Sequence, residues 1–541
     1  MSYRPADSIP SPAPRNPGWP PRLQYLILAA AIAVFLTLGW RGRTPVRIIG
    51  GDELTYVSVS RSLETGSYRE AYTLSAPRHV RYPPGYPAWL MALRKVGGES
   101  FDLVRACNLA FVALSILGIF LIARQVAGPG IGLAAAVVLS LNHTLLEVGG
   151  TLLSESPFLA LTTAALVCTF SPPSASSRPA YLAITLALGA FLTRVAGFTL
   201  VIAIGAWLWA RRRPRELLAF GASCVVLIGG WVAYSIAAPT EQSGWSYGSD
   251  LAGGLRTRGS GVLWQLGTRI QRNLVGYGTE GLPWSLGLPT IPGTVIDNLA
   301  WLVLTVVLIV VGTAALWRAS RAVGIYMVLS AILLLLWPWR IDRLLVPGIP
   351  LAVAAILIGA RRLTASLPPA IGNLALGILI ALMSVGALQG AWRRELAARQ
   401  CDRSRMFESA GCYDPESRSL AAAALYLREH ASPGDAVLAL SGAGVNHLSG
   451  LVTERPIVME RYPPGTAGRA LRERGIRYVL LTGRREAGRR SFGRILLASC
   501  RDLRLEARFE PEALLMIAEP PRQPSEDACA ELRRLVEGSP Q

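Results

Sequence analysis

Residues 101–170 read FDLVRACNLAFVALSILGIFLIARQVAGPGIGLAAAVVLSLNHTLLEVGGTLLSESPFLALTTAALVCTF. This stretch contains three apolar runs in succession, at 101–123, 129–146 and 151–170, with only short polar segments between them. Because a helix needs about 20 mainly apolar residues to cross the hydrocarbon core of a bilayer, each run is long enough for one crossing. The stretch therefore predicts consecutive membrane-spanning helices.

The same pattern extends over most of the chain. Of its 541 residues, 51% are hydrophobic and only 16% are charged, which excludes an ordinary soluble domain for most of the length. Further apolar runs lie at 23–40, 180–193, 195–210, 216–238, 295–316, 322–338, 344–360 and 368–391. We therefore expect a polytopic α-helical membrane protein with about 11 transmembrane helices.

The positive charge is distributed between the apolar runs. A net charge of +19 would suit a nucleic-acid partner, but the basic residues form no single stripe with interleaved aromatic residues, so we expect none. If the run 180–210 breaks at LTRVAG (192–197), the short basic loops all fall on one side of the membrane. The basic residues of these loops are Arg124, Arg178, those within 211–215, Arg318, Arg321, Arg361 and Arg362. Such loops face the cytoplasm, so we expect a multi-pass protein of the cell inner (plasma) membrane with a cytoplasmic N-terminus.

This topology predicts three regions. A Pro-rich cytoplasmic segment occupies 1–22, and a transmembrane domain occupies 23–391, with long extracytoplasmic loops at 41–100 and 239–294. Residues 392–541 contain a helical pattern near 415–431 and the strand-like runs AVLAL and RYVLLTG, which predict a small α/β extracytoplasmic domain. A single helix over 180–210 would reverse the sidedness of everything that follows it.

Four cysteines lie in the polar C-terminal region, at Cys401, Cys412, Cys500 and Cys529. An even number is compatible with two disulfides if the region faces an oxidising compartment. The sequence leaves their pairing open.

Two acidic residues, Asp52 and Glu53, begin a helical pattern in GDELTY (51–56) at the start of the first long loop. One interpretation is a helix cap, since a carboxylate at a helix N-terminus gains about 0.3 to 1 kcal/mol from the free amides and the dipole. The other is a functional carboxylate beside the membrane surface. The residues that accompany them favour the second interpretation.

The same loop continues with RHVRYPPGYPAWL (78–90), in which His79, Arg81 and Tyr82 precede a rigid proline pair. These side chains offer hydrogen-bond donors and an interfacial aromatic ring. The alternative is an interfacial anchor without a ligand.

Four further charged residues lie at the predicted outer ends of the spans. Glu155 lies in an apolar stretch, where a carboxylate is costly unless it is paired, solvated or part of a cap with Ser154. Arg194, Arg340 and Arg343 are at similar positions, and snorkelling to the headgroups would explain any one of them. Together they would place carboxylates and arginines on one face, which suits deprotonation of an acceptor and neutralisation of a lipid-phosphate leaving group.

The order of these motifs resembles the GT-C class of membrane glycosyltransferases, in the branch that contains protein O-mannosyltransferases and lipid A aminoarabinose transferases. That class carries an acidic motif in the first extracytoplasmic loop, here GDELTY, followed by a basic or aromatic residue and paired prolines, here RYPPGYPAWL (81–90). Further matching features are the SE pair at 154–155, LTRVAGF (192–198) and the R-x-L-x-P segment at 343–347.

The resemblance implies Asp52 as catalytic base, with Glu53 supporting it or orienting the acceptor. It implies that Arg81, Arg194 and Arg343 contact the phosphate of a polyprenyl-phosphate sugar. Tyr82 stands where aminoarabinose transferases tend to have a lysine, so Arg81 is the expected phosphate ligand. No pairing of carboxylates with a third ligand requires a metal, and the resemblance leaves a divalent cation open, because some members of the class use one and others do not.

The sequence thus favours an inverting glycosyltransferase that moves a sugar from a polyprenyl-phosphate donor to an extracytoplasmic glycan, lipid or protein. The stretch VLWQLGTRIQRNL (262–274) is amphipathic and suits the headgroup plane of the surrounding membrane lipids, or a protein surface. The rival hypothesis is a membrane transporter or lipid flippase, which should show half-chain repeats and charges near the span centres.

Overall fold

A computed structural model describes residues 20–43, 51–172, 176–237, 261–288, 299–338, 340, 342–402, 412–456, 466–482, 486–510, 513–520 and 528–537. Most of the predicted N-terminal segment and parts of the loop 239–294 lie outside these residues. The described part consists of a helical bundle followed by an α/β unit.

The helices that precede the α/β unit are numbered here in chain order. They are α1 (Pro21–Arg41), α2 (Asp52–Glu64), α3 (Gly85–Gly97), α4 (Phe101–Ala127), α5 (Pro129–Leu141), α6 (His143–Gly149), α7 (Glu155–Cys168), α8 (Arg178–Thr193), α9 (Phe198–Ala210), α10 (Pro214–Ile236), α11 (Val262–Gly276), α12 (Leu282–Ser285), α13 (Leu299–Ala319), α14 (Arg321–Leu336), α15 (Ile349–Leu363) and α16 (Pro369–Arg399). Short 3₁₀ segments precede α9 and α15, and π-helical turns lie within α10 and after α11.

Several of these helices are suited to cross a membrane. Six are long and apolar enough by length and composition, and these are α1, α4, α10, α13, α15 with its flanking turns, and α16. Helices α5 and α6 form one apolar pair bent by 62°, and α7, α8, α9 and α14 are shorter apolar helices. The chain is therefore a polytopic helical membrane protein.

The predicted break at LTRVAG is present. Helix α8 ends at Thr193, Arg194 is extended with φ −149° and ψ 136°, and α9 begins at Phe198. Gly197 makes the break compact, because a Cβ at this position would lie 2.5 Å from the backbone nitrogen of Phe191. The two helices can therefore pack side by side with Arg194 at the turn between them.

Hydrogen bonds join several of the basic turns at one end of the bundle. Thr169 at the end of α7 bonds to Ser320 before α14 at 2.8 Å. Arg124 near the end of α4 donates to the hydroxyl of Tyr25 near the start of α1 at 2.9 Å. The acidic and basic residues of the candidate site lie at the other ends of α7 and α8.

Helix α11 is amphipathic, with its apolar face exposed and polar residues buried. Its apolar residues Leu263 and Trp264 are 85% and 74% exposed, while Arg269 and Asn273 are buried against the C-terminus of α14. The amide of Asn273 donates to the carbonyl oxygens of residues 334, 335 and 337 at the end of α14, where the carbonyl of Leu334 also accepts the N–H of Trp337. The predicted amphipathic helix is thus confirmed, and its outward apolar face is suited to lipid.

The α/β unit is built on a five-stranded sheet. Its strands are β1 (Ala436–Ala439), β2 (Val452–Glu454), β3 (Ile476–Thr482), β4 (Arg504–Phe509) and β5 (Ala513–Ile517), in the order β2-β1-β3-β5-β4. Strands β1, β2 and β3 are parallel, and β5 is antiparallel to β3 and β4. Its helices are α17 (Pro415–His430), α18 (Gly442–Ser449), α19 (Ala467–Glu473), α20 (Glu486–Leu497) and α21 (Ala528–Glu537).

Alternating side chains of the sheet enter two different cores. On β3, Tyr478 and Leu480 join a core shared with the first loop, while Val479 and Leu481 pack against α19, α20 and α21. The unit also contains the disulfides Cys401–Cys412 and Cys500–Cys529. The sheet therefore shares one hydrophobic core with the segment that carries GDELTY.

Candidate active site

Asp52 is the first residue of α2 and follows Gly51, whose φ of +95° suits glycine. Its Oδ1 accepts a hydrogen bond from the Tyr82 hydroxyl at 2.5 Å, and its Oδ2 pairs with Nη2 of Arg343. Burial raises the pKa of the Asp52 carboxyl, but Arg343, Arg81 and the Tyr82 hydrogen bond lower it by more in total. The pKa therefore lies well below its usual value, and Asp52 is a carboxylate at neutral pH.

Arg343 joins two carboxylates that are distant in sequence. It lies in the 3₁₀ segment Asp342–Gly348, which leads into α15. While Nη2 pairs with Asp52, Nε lies 2.8 Å from Oε1 of Glu155. The guanidinium group has several N–H donors in a planar fork and can therefore serve both acceptors.

Glu155 is fully buried in the first turn of α7. Besides Arg343, it pairs with Nη1 of Arg194 at 2.8 Å, and Arg194 also donates to Oγ of Ser154 at 3.0 Å. A buried carboxylate costs several kcal/mol unless its charge is compensated, so two guanidinium groups suit this position. Asp52, Arg343, Glu155 and Arg194 are called the carboxylate–arginine cluster below.

The geometry favours this cluster over the capping interpretations. The N-cap of α2 is Gly51, without a side-chain cap, and Ser154 occupies the N-cap position of α7 without making a capping bond. Asp52 and Glu155 are still in first turns, where the helix dipole favours negative charge. Their side chains nevertheless pair with arginines, so the proposed cap by Ser154 is wrong.

Arg81 and Glu53 flank the cluster in different ways. Arg81 lies over the ring of Tyr82, with its guanidinium carbon 5.4 Å from the ring centroid, and its charge lowers the pKa of Asp52. Glu53 is buried, and its Oε1 accepts the backbone N–H of Leu152 at 2.9 Å. It therefore fixes α2 to the segment before α7, and its role towards an acceptor stays a prediction.

Arg340 and His79 have other partners. Arg340 forms a salt bridge with Glu280 at 2.6 Å and is not among the pairs that link the cluster. His79 is buried, and both of its ring nitrogens are engaged, Nδ1 with Glu70 at 2.9 Å and Nε2 with the backbone N–H of Tyr82 at 3.1 Å. The geometry therefore favours a positioning role for His79 over a phosphate contact.

The sequence motifs do not indicate a role in the site for two of its members, Tyr56 and Ser154. Tyr56 bonds to Ser154 through the two hydroxyl groups at 2.9 Å, and its ring lies 4.5 Å from that of Tyr82. Tyr56 stands four residues after Asp52 on α2, and residues at this spacing share a helix face. That spacing was the available signal for Tyr56, whereas Ser154 depends on a tertiary contact.

The residue types fit the binding of an anion better than the binding of a resident metal. Within the described ranges, no three His, Cys, Asp or Glu side chains come together as a metal-binding group. The cluster instead combines a fixed carboxylate with guanidinium groups, which can accept a proton and hold a phosphate.

Comparisons with known proteins agree with the fold. Residues 81–239 match the family model described as dolichyl-phosphate-mannose-protein mannosyltransferase. No curated protein matches the chain at a significant level.

Solved structures match over nearly the whole chain. ArnT from Cupriavidus metallidurans in the apo state has a TM-score of 0.55 at 15% identity, covering 92% of this chain and 98% of its own. The same protein bound to undecaprenyl phosphate has a TM-score of 0.53 at 14% identity with the same coverage. The oligosaccharyltransferase of Archaeoglobus fulgidus in the apo form has a TM-score of 0.54 at 13% identity, covering 90% and 73%. The chain therefore has the fold of the GT-C class of membrane glycosyltransferases, as its motifs predicted.

Proposed function

We propose that this chain is a membrane glycosyltransferase that moves a sugar from a polyprenyl-phosphate-linked donor to an extracytoplasmic glycan, lipid or protein. The observation that carries the proposal is the carboxylate–arginine cluster, in which Arg343 joins Asp52 to Glu155. Support comes from the fold, since one of the similar structures holds undecaprenyl phosphate.

In this proposal Asp52 is the general base. Its carboxylate takes the proton of an acceptor hydroxyl or amine while that atom attacks the anomeric carbon of the donor sugar. The bond between that carbon and the phosphate oxygen breaks, and its electron pair leaves with the polyprenyl phosphate. A single displacement from the opposite face inverts the anomeric configuration.

Arginine side chains neutralise the charge of the leaving group. Arg343 and Arg81 lie beside Asp52 and present guanidinium donors that match phosphate oxygens. Arg194, with Glu155, holds Arg343 from its other side. Arg340 pairs with Glu280 outside the cluster, and the proposal assigns it no contact with the phosphate.

The donor would also tune the strength of the base. Without it, Arg343 keeps the pKa of Asp52 low, and a carboxylate with a low pKa is a weak base. A donor phosphate competes for the same guanidinium group, which lessens the effect of Arg343 while burial continues to raise the pKa. Asp52 would therefore become a better base when the donor is bound.

The proposal also assigns the topology. Residues 23–391 form the catalytic transmembrane domain, and 392–541 form a domain on the same extracytoplasmic side as the cluster. The basic turns face the cytoplasm, and the protein lies in the inner membrane of the cell. The two C-terminal disulfides support an oxidising compartment for the α/β domain.

The test uses the full-length protein in lipid nanodiscs with a panel of polyprenyl-phosphate sugars, and it measures release of the lipid phosphate. Asp52→Asn, nearly isosteric but unable to accept the proton, should abolish release while leaving expression and membrane insertion intact. Asp102→Asn is the matched control, because Asp102 is a half-exposed carboxylate paired with Arg105 outside the cluster.

Full activity of Asp52→Asn would overturn the assigned base. Absence of turnover with every donor, combined with donor movement across vesicle membranes, would favour the transporter or flippase hypothesis. Addition of EDTA tests for a divalent cation, which one related oligosaccharyltransferase structure contains as Zn. No step above depends on the outcome of that addition.

A further inference from the structure

The C-terminal sheet is joined to the first loop by backbone pairing. Thr453 of β2 donates its N–H to the carbonyl of Tyr72 at 2.8 Å, and its own carbonyl accepts the N–H of Leu74 at the same distance. Thr73 and Thr453 form a parallel bridge. The segment 72–74 thus extends the sheet beyond β2, although nearly 400 residues separate the two.

Immediately after β2, Arg455 reaches from the sheet into the loop. Its Nη2 pairs with Oε2 of Glu70 and donates to the hydroxyl of Tyr72 at 2.9 Å. Tyr72 in turn donates to the same carboxylate at 3.2 Å. Glu70 is almost fully buried, so its charge is compensated by a residue of the C-terminal domain.

Glu70 fixes the tautomer of His79. Burial raises the pKa of Glu70, but the hydrogen bond of His79 and the charge of Arg455 lower it to about 2, so the group is a carboxylate. A carboxylate only accepts hydrogen bonds, and therefore Nδ1 of His79 carries a proton. The backbone N–H of Tyr82 only donates, and therefore Nε2 carries none.

The peptide group of Tyr82 is held on its other side as well. Its carbonyl oxygen accepts the hydroxyl of Tyr68 at 2.7 Å. Since the φ and ψ angles of Tyr82 fix the direction of its side chain, both bonds help to aim its hydroxyl at Oδ1 of Asp52. The contacts form one continuous path from Arg455 to Asp52.

We infer that Arg455, Glu70 and His79 form a positioning relay by which the C-terminal domain orients Tyr82 and, through it, the base Asp52. None of the three touches the reacting atoms in this scheme. The inference rests on the proposed glycosyl transfer for its kinetic consequence, whereas its hydrogen-bond pattern can be tested without any activity.

The kinetic arm measures transfer by full-length protein carrying Arg455→Gln, Glu70→Gln or His79→Ala. We expect kcat to fall about 10- to 100-fold, since small misplacements of reacting groups are costly, with KM for the donor unchanged. Arg477→Gln is the matched control, because Arg477 pairs with Asp435 on the surface of the same domain. The thermal unfolding midpoint of each variant shows whether a lower kcat comes from a misplaced Asp52 or from a destabilised protein.

A double-mutant cycle tests whether the relay acts through Tyr82. If it does, Arg455→Gln causes a much smaller further loss in protein that already carries Tyr82→Phe. Equal losses in both backgrounds, or a raised KM at unchanged kcat, would overturn the inference.

The spectroscopic arm is independent of turnover. The chain has four histidines, and ¹⁵N labelling with His79→Gln as the assignment control identifies the ring nitrogens of His79. We expect a protonated Nδ1 and an unprotonated Nε2 in the unmodified protein, with this pattern lost in Glu70→Leu, which offers no acceptor to Nδ1. A protonated Nε2 in the unmodified protein would refute the relay. If no donor is turned over but the expected pattern is present, the proposed function fails and the relay stands.

Discussion

At the scale of single residues, the Tyr82 hydroxyl joins the acidic motif and the proline motif of the first loop. It donates to Asp52 at 2.5 Å, whereas the sequence indicated Tyr82 as a substrate-facing donor or interfacial ring and as a departure from the lysine of aminoarabinose transferases. This contact holds the Asp52 carboxylate in place, and a small misplacement of a reacting group costs up to about 100-fold in rate.

Tyr82→Phe should therefore lower kcat by up to about this factor, because Asp52 loses a contact that positions it. It should also raise the pKa of Asp52, because the bond from Tyr82 is one of the interactions that lower it. Since a base must be unprotonated in the free enzyme, the acidic limb of the kcat/KM profile should move to higher pH. The measurement is transfer rate against pH.

Tyr86→Phe is a suitable comparison for that measurement. Tyr86 is a buried tyrosine of the same segment, and its hydroxyl accepts from Asn108 at 3.3 Å, away from Asp52. An identical shift of the acidic limb in both variants would mean that the effect is not specific to the Asp52 bond.

The location of the charged residues could be predicted from the sequence, but their ion-pair partners could not. Asp52, Glu155, Arg194 and Arg343 were expected at one end of the bundle from span parity, and the structure brings them into one chain of ion pairs. Arg340 had the same sequence environment as Arg343. It differs because Glu280 lies close enough to pair with it, which depends on how α11 and the turn after it pack.

At the scale of elements, α11 illustrates what periodicity can and cannot predict. The spacing of its apolar residues gave the helix and its amphipathic character, but not which face would be buried. Burial of Arg269 and Asn273 follows from the carbonyls at the end of α14, which need donors. The run 180–210 is a second case, since Arg194 and Gly197 marked the break correctly.

Asn273→Ala should lower the stability of this part of the bundle. The substitution removes a donor that three backbone carbonyls share, of which only that of Leu334 has another backbone donor among the described residues, and an acceptor left without a partner costs about 1 to 3 kcal/mol. We expect a lower midpoint of thermal unfolding in detergent. Gln271→Ala on the exposed side of α11 should leave the midpoint unchanged, and equal effects of the two substitutions would contradict this capping role.

At the scale of the whole molecule, the C-terminal domain and the cluster cannot lie on opposite sides of the membrane. Arg455 pairs with Glu70, and β2 pairs with the segment 72–74, so the sheet has the same sidedness as Asp52. The sequence predicted this arrangement through the parity of the spans. It did not predict the contact, because nothing in local pattern joins residues so far apart.

The disulfides therefore report the side on which the chemistry takes place. In a protein with Cys107, Cys168 and Cys224 replaced by alanine, the remaining four cysteines are those of Cys401–Cys412 and Cys500–Cys529. On intact spheroplasts, we expect a membrane-impermeant maleimide to label them only after an impermeant reductant has opened the bonds.

Removal of one bridge should also weaken the α/β unit. Cys500 and Cys529 are separated by 29 positions, and closing a loop of that length stabilises a fold by about 3 to 4 kcal/mol in the chain-entropy model. The double substitution to serine should lower the unfolding midpoint and, because the sheet carries Arg455, reduce transfer as well.

In the maleimide experiment, labelling without reductant, and only after lysis of the spheroplasts, would place the sheet in the cytoplasm. Asp52 and its arginines would then be cytoplasmic too, and a donor and acceptor on that side would have to be sought.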